Sequence, residues 1–263
     1  MLEFAFMQRA LMAALLIGLA CGLLGFFVVL RRIAFVGVGI SHSAIGGVAL
    51  GLVLGTNPLL TAGVFAVAVA AGISVSAKRG RIGEDAVIGV FFSGSMALGA
   101  VLLSLERGYQ QDLFGYLFGN VLAVSPGELW VLAAAVVLVV SVLAVTFKEL
   151  LFISFDEELA RAYGHPVDRL NIMLLILLAV TVVIGVRLVG VLLVEGLLVI
   201  PAATAALWTN DFRRQVLLST SVAVGAGAAG LAASYRLDMA AGGTIVLVAV
   251  VMFFCSLMAR RSA

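Results

Sequence analysis

Along this chain, runs of about twenty apolar residues alternate with short clusters of charge, the spacing that membrane-spanning helices require. A helix needs about twenty residues to cross roughly 30 Å of hydrocarbon, so apolar windows of that length bounded by charges or turn formers are the predicted elements. Eight windows are clear: Ala10 to Leu30, Ile33 to Leu54, Leu59 to Ala77, Ala86 to Leu105, Glu128 to Phe147, Ile172 to Val191, Val216 to Ser234 and Gly242 to Met258. A ninth, Leu192 to Trp208, contains Glu195 and Pro201 and reads either as a full span or as a broken, re-entrant segment. The expected fold is all-α: a polytopic transmembrane helix bundle of eight or nine spans, forming a single transmembrane domain over residues 1–263.

Composition strengthens this picture and removes function classes. The 263 residues are 63% apolar and only 11% charged, with a mean hydropathy of +1.24, too little charge to cover a soluble surface. A soluble enzyme is excluded, and a net charge of +2 gives no footprint for nucleic acid. Cys21 and Cys255 lie far apart inside apolar runs without C-x-x-C spacing and read as packing residues. The first window ends in Arg31-Arg32, not in a small-residue cleavage site, so it reads as a retained span. Clustered glycines such as Gly37, Gly39, Gly46, Gly47 and Gly51 predict closely packed helices.

Charge position sets an orientation. Arg31-Arg32, Lys78-Arg79-Arg81, Lys148 with Arg161 and Arg169, Arg213-Arg214 and Arg260-Arg261 all fall on one side if the N-terminus is external and the C-terminus cytoplasmic. That arrangement needs an odd number of crossings and favours nine. It places Glu106 to Gly127 outside and makes residues 148–171 the largest cytoplasmic segment.

Ionisable residues within the spans are the candidate chemistry. His42, flanked by Ser41 and Ser43, sits near the middle of the second window, where imidazole is costly unless it meets a partner or water. It reads as a metal or proton site, or as a hydrogen bond between helices. Its i−4 and i+4 neighbours, Val38 and Gly46, supply no second ligand. Glu195 is the carboxylate deepest within an apolar run; with an imidazole it suits Mn, Fe or Zn, whereas pairing with Arg187 would make it a static lock. Ser41, Ser43, Ser93, Ser95 and Thr204 read either as a hydrophilic path or as hydroxyls bonded to their own helices. An intramembrane serine protease would need Ser93 or Ser95 with His42, since Ser41 projects about 100° away from His42 on the same helix.

The stretch Phe155-Asp156-Glu157-Glu158-Leu159-Ala160-Arg161-Ala162-Tyr163-Gly164 predicts a short amphipathic helix, with acids in its first turn, a late arginine and a glycine stop. It is a grip for a cytoplasmic partner or an ordinary interfacial helix, and His165 beyond it reads as a solvated loop residue. Neither Lys78 nor Lys148 follows a glycine, so the phosphate-cradling G-x-x-x-x-G-K-[ST] motif is missing and energy must come from a separate ATPase or an ion gradient.

Five ordered stretches carry a resemblance over nearly the whole chain: Leu30-Arg31-Arg32-Ile33-Ala34-Phe35-Val36-Gly37 with Ser41-His42; Glu84-Asp85-Ala86-Val87-Ile88-Gly89; Tyr116-Leu117-Phe118-Gly119-Asn120; Phe155 to Arg161; and Pro201-Ala202-Ala203-Thr204-Ala205. On them the chain resembles the membrane permeases of ATP-binding-cassette importers for zinc, manganese and iron, the metal-ion ABC-3 type. The resemblance implies a type II importer-like fold in a bacterial-type inner or plasma membrane. It also implies a second permease chain, a pair of cytoplasmic ATPase subunits that bind ATP, an extracytoplasmic metal-binding protein and surrounding membrane lipid. No cofactor resides in this chain; the divalent metal is cargo. Phe155 to Gly164 looks like the coupling helix. Many members carry an acid one turn before the histidine, where this chain has Val38, and Glu195 stands where a small or apolar residue is frequent. The implied hypothesis is that the carboxylate has moved to the later span. Two other transport classes stay open: a gradient-driven carrier using Glu195 and His42, and an ABC permease for a siderophore or vitamin.

Overall fold

The computed structural model describes residues 4–79, 83–105 and 121–261. Helices α1 (Ala5–Leu30), α2 (Ala34–Val53), α3 (Pro58–Arg79) and α4 (Glu84–Leu105) come first. A 3₁₀ turn (Val121–Ala123) leads into α5 (Pro126–Phe155), and the short α6 (Glu157–Ala162) follows. The chain continues through α7 (Val167–Val189), α8 (Val191–Trp208), α9 (Phe212–Leu237) and α10 (Ala241–Arg261). Among the described residues there is no strand, and nine helices are long and apolar enough to cross a membrane. The fold is the expected all-α transmembrane bundle. The Tyr116 to Asn120 stretch, residues 106–120 of the predicted external segment, and Arg81 lie outside the described residues.

The ninth window is a helix long and apolar enough to be a span. Helix α8 is continuous through Pro201, and its 18 residues extend about 27 Å at 1.5 Å per residue. Proline removes one backbone donor from a helix interior, a local defect that neighbouring helices can absorb. Hydropathy windows miss the helix ends: α5 runs on to Phe155, past the Phe147 limit, and α7 begins at Val167 instead of Ile172. Lys148 and Glu149 therefore lie on the last turns of α5, not in a loop. Long helices carry polar final turns beyond the hydrocarbon, and an apolar window cannot register these.

The chain divides into two compact units. One comprises Met1–Arg32, Phe114–Ser141 and Ile184–Ala263; the other comprises Ile33–Leu113 and Val142–Val183.

In the first unit, α1 packs on α8 and α9, and α10 packs on both of those. Small residues allow the approach. A Cβ built on Gly22 would lie 2.6 Å from the Thr220 Cα, and one on Gly25 would fall on the Leu198 carbonyl oxygen. The Ser219 hydroxyl donates to the Gly22 carbonyl at 2.8 Å, joining α9 to α1 where they are closest. Cys21 is buried in this packing, as expected. Cys255 is not: it is exposed on α10, because its helix turns that face outward.

In the second unit, α2 packs against both α3 and α4. A Cβ on Gly47 would come 2.7 Å from the Ala62 Cα, and one on Gly46 would come 2.7 Å from the Ser95 carbonyl oxygen. Lipid cannot drive helices together by hydrophobicity, so backbone-to-backbone contact of this kind supplies the van der Waals attraction that holds them.

Gly25→Val should therefore lower the stability of the detergent-purified protein by about 1–3 kcal/mol, because the new side chain meets backbone that cannot yield. Gly63→Ala, in α3 where an added Cβ meets nothing within 4 Å, should be neutral or slightly stabilising. Thermal unfolding of the two variants checks this; equal midpoints would show that these contacts do not set the packing.

Candidate functional site

The glycines of α2 fix where its polar residues go. A Cβ on Gly39 would lie 2.8 Å from the Ile88 Cγ2, so α4 sits directly beside the His42 turn. The His42 ring meets Phe92 of α4 edge-on, with centroids 5.1 Å apart and an interplanar angle of 69°. His42 is half-buried, and its Nδ1 lies 3.1 Å from the Val38 carbonyl oxygen and 3.3 Å from the Ser41 Oγ. A carbonyl only accepts, so this geometry assigns the proton of the neutral ring to Nδ1 and the lone pair to Nε2.

Ser41 and Ser43 are fully buried. The Ser41 hydroxyl donates to the Val38 carbonyl at 3.0 Å and the Ser43 hydroxyl to the Ile40 carbonyl at 2.7 Å. Thr204 does the same on α8, donating to the Ile200 carbonyl at 2.8 Å. These hydroxyls satisfy themselves within their own helices, the ordinary solution where water is scarce. Ser93 is exposed on α4, while Ser95 is buried and turns its backbone carbonyl toward Gly46.

Glu195 belongs to the other unit. It is half-buried, four residues into α8, which starts after Gly190 at φ 91°, ψ 158°. That backbone conformation is open to glycine and strained for other residues, so Gly190 is where α7 gives way to α8. The residues flanking Glu195 are tightly held. Val194 packs where a Cβ on Gly185 would lie 2.7 Å from its Cγ2, and a Cβ on Gly196 would lie 2.9 Å from the Val246 Cγ2 of α10. Among the described residues no three His, Cys, Asp or Glu side chains gather as a metal-holding group.

One arrangement was readable from the sequence and not anticipated. Ser125-Pro126-Gly127-Glu128 is a capping box at the start of α5, with proline at the first helical position. The Ser125 N–H and hydroxyl donate to Glu128 Oε2 at 3.0 and 2.8 Å, and the Glu128 N–H returns to the Ser125 Oγ at 3.3 Å. Arg187 reaches the same carboxylate, 3.9 Å from its Oε1. The arginine considered as a lock for Glu195 thus also serves the cap of α5.

The predicted amphipathic helix forms as α6, and both of its ends follow the sequence signals. Asp156 caps the N-terminus, its Oδ1 accepting from the Leu159 N–H at 2.8 Å, with Glu157 and Glu158 in the first turn and Arg161 in the last. Gly164, at φ 82°, closes it. Around that glycine the His165 N–H bonds the Ala160 carbonyl and the Gly164 N–H bonds the Arg161 carbonyl, a Schellman ending. Phe155 falls outside the helix: the extended backbone of Asp156 makes it the last residue of α5.

Polar contacts brace α6 against α7. The Arg161 Nη2 lies 3.1 Å from Asp168 Oδ1 and 3.5 Å from Glu157 Oε1, and the Asn171 Nδ2 donates to the same Glu157 oxygen at 3.0 Å. The hydrogen bond to Asp168, then its charge, pushes the guanidinium above its ordinary pKa, so the clamp keeps its cation at any physiological pH. His165 is half-buried, not simply solvated: its ring lies edge-on to Phe152 of α5 with centroids 5.3 Å apart. Ala160 is buried, whereas Phe155, Leu159 and Tyr163 are exposed. The segment is thus fixed to the bundle on one side and presents apolar side chains on the other.

The chain is similar to known proteins over nearly its whole length. The model of the ABC 3 transport family matches residues 3–260. The manganese transport system membrane protein MntC of Listeria innocua is 37% identical over 97% of this chain and 90% of its own length. The manganese import system permease protein ScaB of Streptococcus gordonii is 37% identical over 97% of this chain and 91% of its own. Among solved structures, PsaBC from Streptococcus pneumoniae in complex with Fab superposes with a TM-score of 0.85 at 35% identity, covering 97% of this chain and 91% of that one.

If the cap holds α6 together, Asp156→Ala should destabilise that helix by about 1 kcal/mol, within the usual range for losing an N-terminal cap. Hydrogen exchange should then quicken at the Leu159 amide while the amides in the middle of α5 stay protected. Unchanged exchange at Leu159 would show that packing alone holds the helix.

Proposed function

This chain belongs to the ABC 3 transport family, and on that premise we propose that it is the membrane permease of an ATP-binding-cassette importer for divalent transition metals, with manganese the favoured cargo. The observation that carries this reading is the family match over residues 3–260 together with end-to-end similarity to permeases named for manganese. On this reading the whole chain acts as one permease domain and pairs with a second permease chain. It takes its ion from an extracytoplasmic binding protein and is driven by two cytoplasmic ATPase subunits. The N-terminus is external and the C-terminus cytoplasmic, as the basic clusters favour.

His42 is the proposed cargo contact in the membrane. Its ring is oriented by the Nδ1 contact with the Val38 carbonyl and by the edge-on Phe92 ring, which supports a fixed ligand. One neutral imidazole is a weak holder, which suits a step that must also release. Ser41 and Ser43 donate to their own helix, and in the proposal they line the path. Glu195 supplies the carboxylate that Val38 does not. Asp156 to Gly164, with Phe155 at its border, is the coupling segment. Its exposed Leu159 and Tyr163 meet the ATPase, and the Arg161–Asp168 pair passes movement into α7. ATP binding and hydrolysis then bias the permease between outward and inward states, and the ion follows the state that holds it more weakly.

The direct test is cellular uptake of Mn, Zn and Fe by mass spectrometry, with the ATPase and the binding protein present. Deleting the permease should abolish manganese uptake, and His42→Ala at matched membrane expression should lower it by about tenfold or more, the scale of disturbing a metal ligand's surroundings. Unchanged uptake of all three metals on deletion, in cells lacking redundant importers, would refute a metal cargo. The relocated carboxylate has its own test. Glu195→Ala should reduce uptake and Val38→Asp in that background should restore part of it; no recovery would count against relocation.

A further inference from the structure

In the first unit, α1 and α5 enclose a groove of about 480 Å³ lined by Arg9, Met12 and Leu16 from α1 and by Leu129, Trp130 and Ala133 from α5. Arg9 and Trp130, each the fifth residue of its helix, line the same groove. From Arg9 to Leu16 the α1 wall runs about 10 Å along the helix axis. Its charged lining residue is Arg9, whose Nε is buried and has no hydrogen-bond partner. A guanidinium stays ionised at all accessible pH, so an orphaned N–H of this kind calls for an anion.

The obvious protein anion is engaged elsewhere. Glu128, adjacent to Leu129, is held by the Ser125 N–H and hydroxyl and by Arg187. Trp130, 77% exposed, is placed as membrane proteins place indoles at the headgroup level, with a polar edge and an apolar body. Met12 is also exposed, so the groove opens sideways to the surroundings of the helices. In a bilayer those surroundings are acyl chains at the depth of Leu16 and Ala133 and phosphodiesters at the depth of Arg9.

We propose that this groove is a binding site for one anionic phospholipid, with its phosphodiester on the Arg9 guanidinium and an acyl chain along Met12, Leu16, Leu129 and Ala133. A planar fork of N–H groups matches phosphate oxygens in pairs. A zwitterionic lipid brings its own cation to the same place and leaves the arginine less well compensated, so the site discriminates by headgroup charge. With the N-terminus external, the lipid belongs to the external leaflet. The proposal rests on the helices spanning a membrane and not on the cargo, so a failed metal assay leaves it standing and its own failure leaves the transport reading intact.

The experiment is native mass spectrometry of the full chain, purified with its ATPase partner and equilibrated in micelles containing equal amounts of phosphatidylglycerol and phosphatidylcholine. The wild type should retain phosphatidylglycerol over phosphatidylcholine by about fivefold, the worth of one cation at an anionic lipid surface. Arg9→Gln should erase that preference and Arg9→Lys should keep it. Ala133→Phe, which fills the groove and leaves the arginine in place, should reduce retention of both lipids. Equal retention of the two lipids by the wild type, an undiminished preference in Arg9→Gln, or undiminished retention in Ala133→Phe would each overturn the proposal.

Discussion

Hydrocarbon offers a peptide group no hydrogen-bond partner, and the rest of this structure follows from that constraint. Each crossing must satisfy its own backbone, so apolar helices, nine of them among the described residues, are the form available to a chain of this composition. Their association then lacks the driving force that assembles a soluble core, since lipid is as apolar as leucine. Contact distance becomes the currency of stability. Gly22 against Thr220, Gly25 against Leu198, Gly46 against Ser95 and Gly47 against Ala62 are places where one methyl group would separate two backbones. The glycine-rich face of α2 serves this end, and His42 is carried among those contacts.

The same scarcity of water governs the polar residues inside the spans. Ser41, Ser43 and Thr204 return their hydroxyls to carbonyls of their own helices, and Ser219 gives its hydroxyl to a neighbouring one. His42 follows the rule with its Nδ1, which lies against the Val38 carbonyl. The turn that carries Glu195 has a conformational origin: Gly190 alone ends one helix and starts the next, placing a carboxylate early in a span that also tolerates Pro201.

Outside the apolar spans, ordinary rules of helix ends return. The six-residue α6 is too short to persist by propensity. It is held by an aspartate cap, a glycine stop, a buried alanine and the arginine bridge to α7. Its Leu159 and Tyr163 are left exposed.

The sequence by itself determined the all-helical class, the positions of the spans and the short capped helix, because each depends on local signals. Apolar length, basic clusters, Asp156 and Gly164 act within one element and need no partner to be read. The Ser125–Glu128 capping box was equally local and legible. Helix ends were less so, since the polar late turns of α5 and the polar first turn of α7 cannot be distinguished from loops by hydropathy. Only tertiary structure decided that α8 runs unbroken through Pro201, that the His42 Nδ1 lies against the Val38 carbonyl, and that His165 lies against Phe152. It also decided that Cys255 is exposed and that Arg9 and Trp130 share a groove. Each of these depends on which residues of distant segments meet, and periodicity along one helix carries no information about its neighbour.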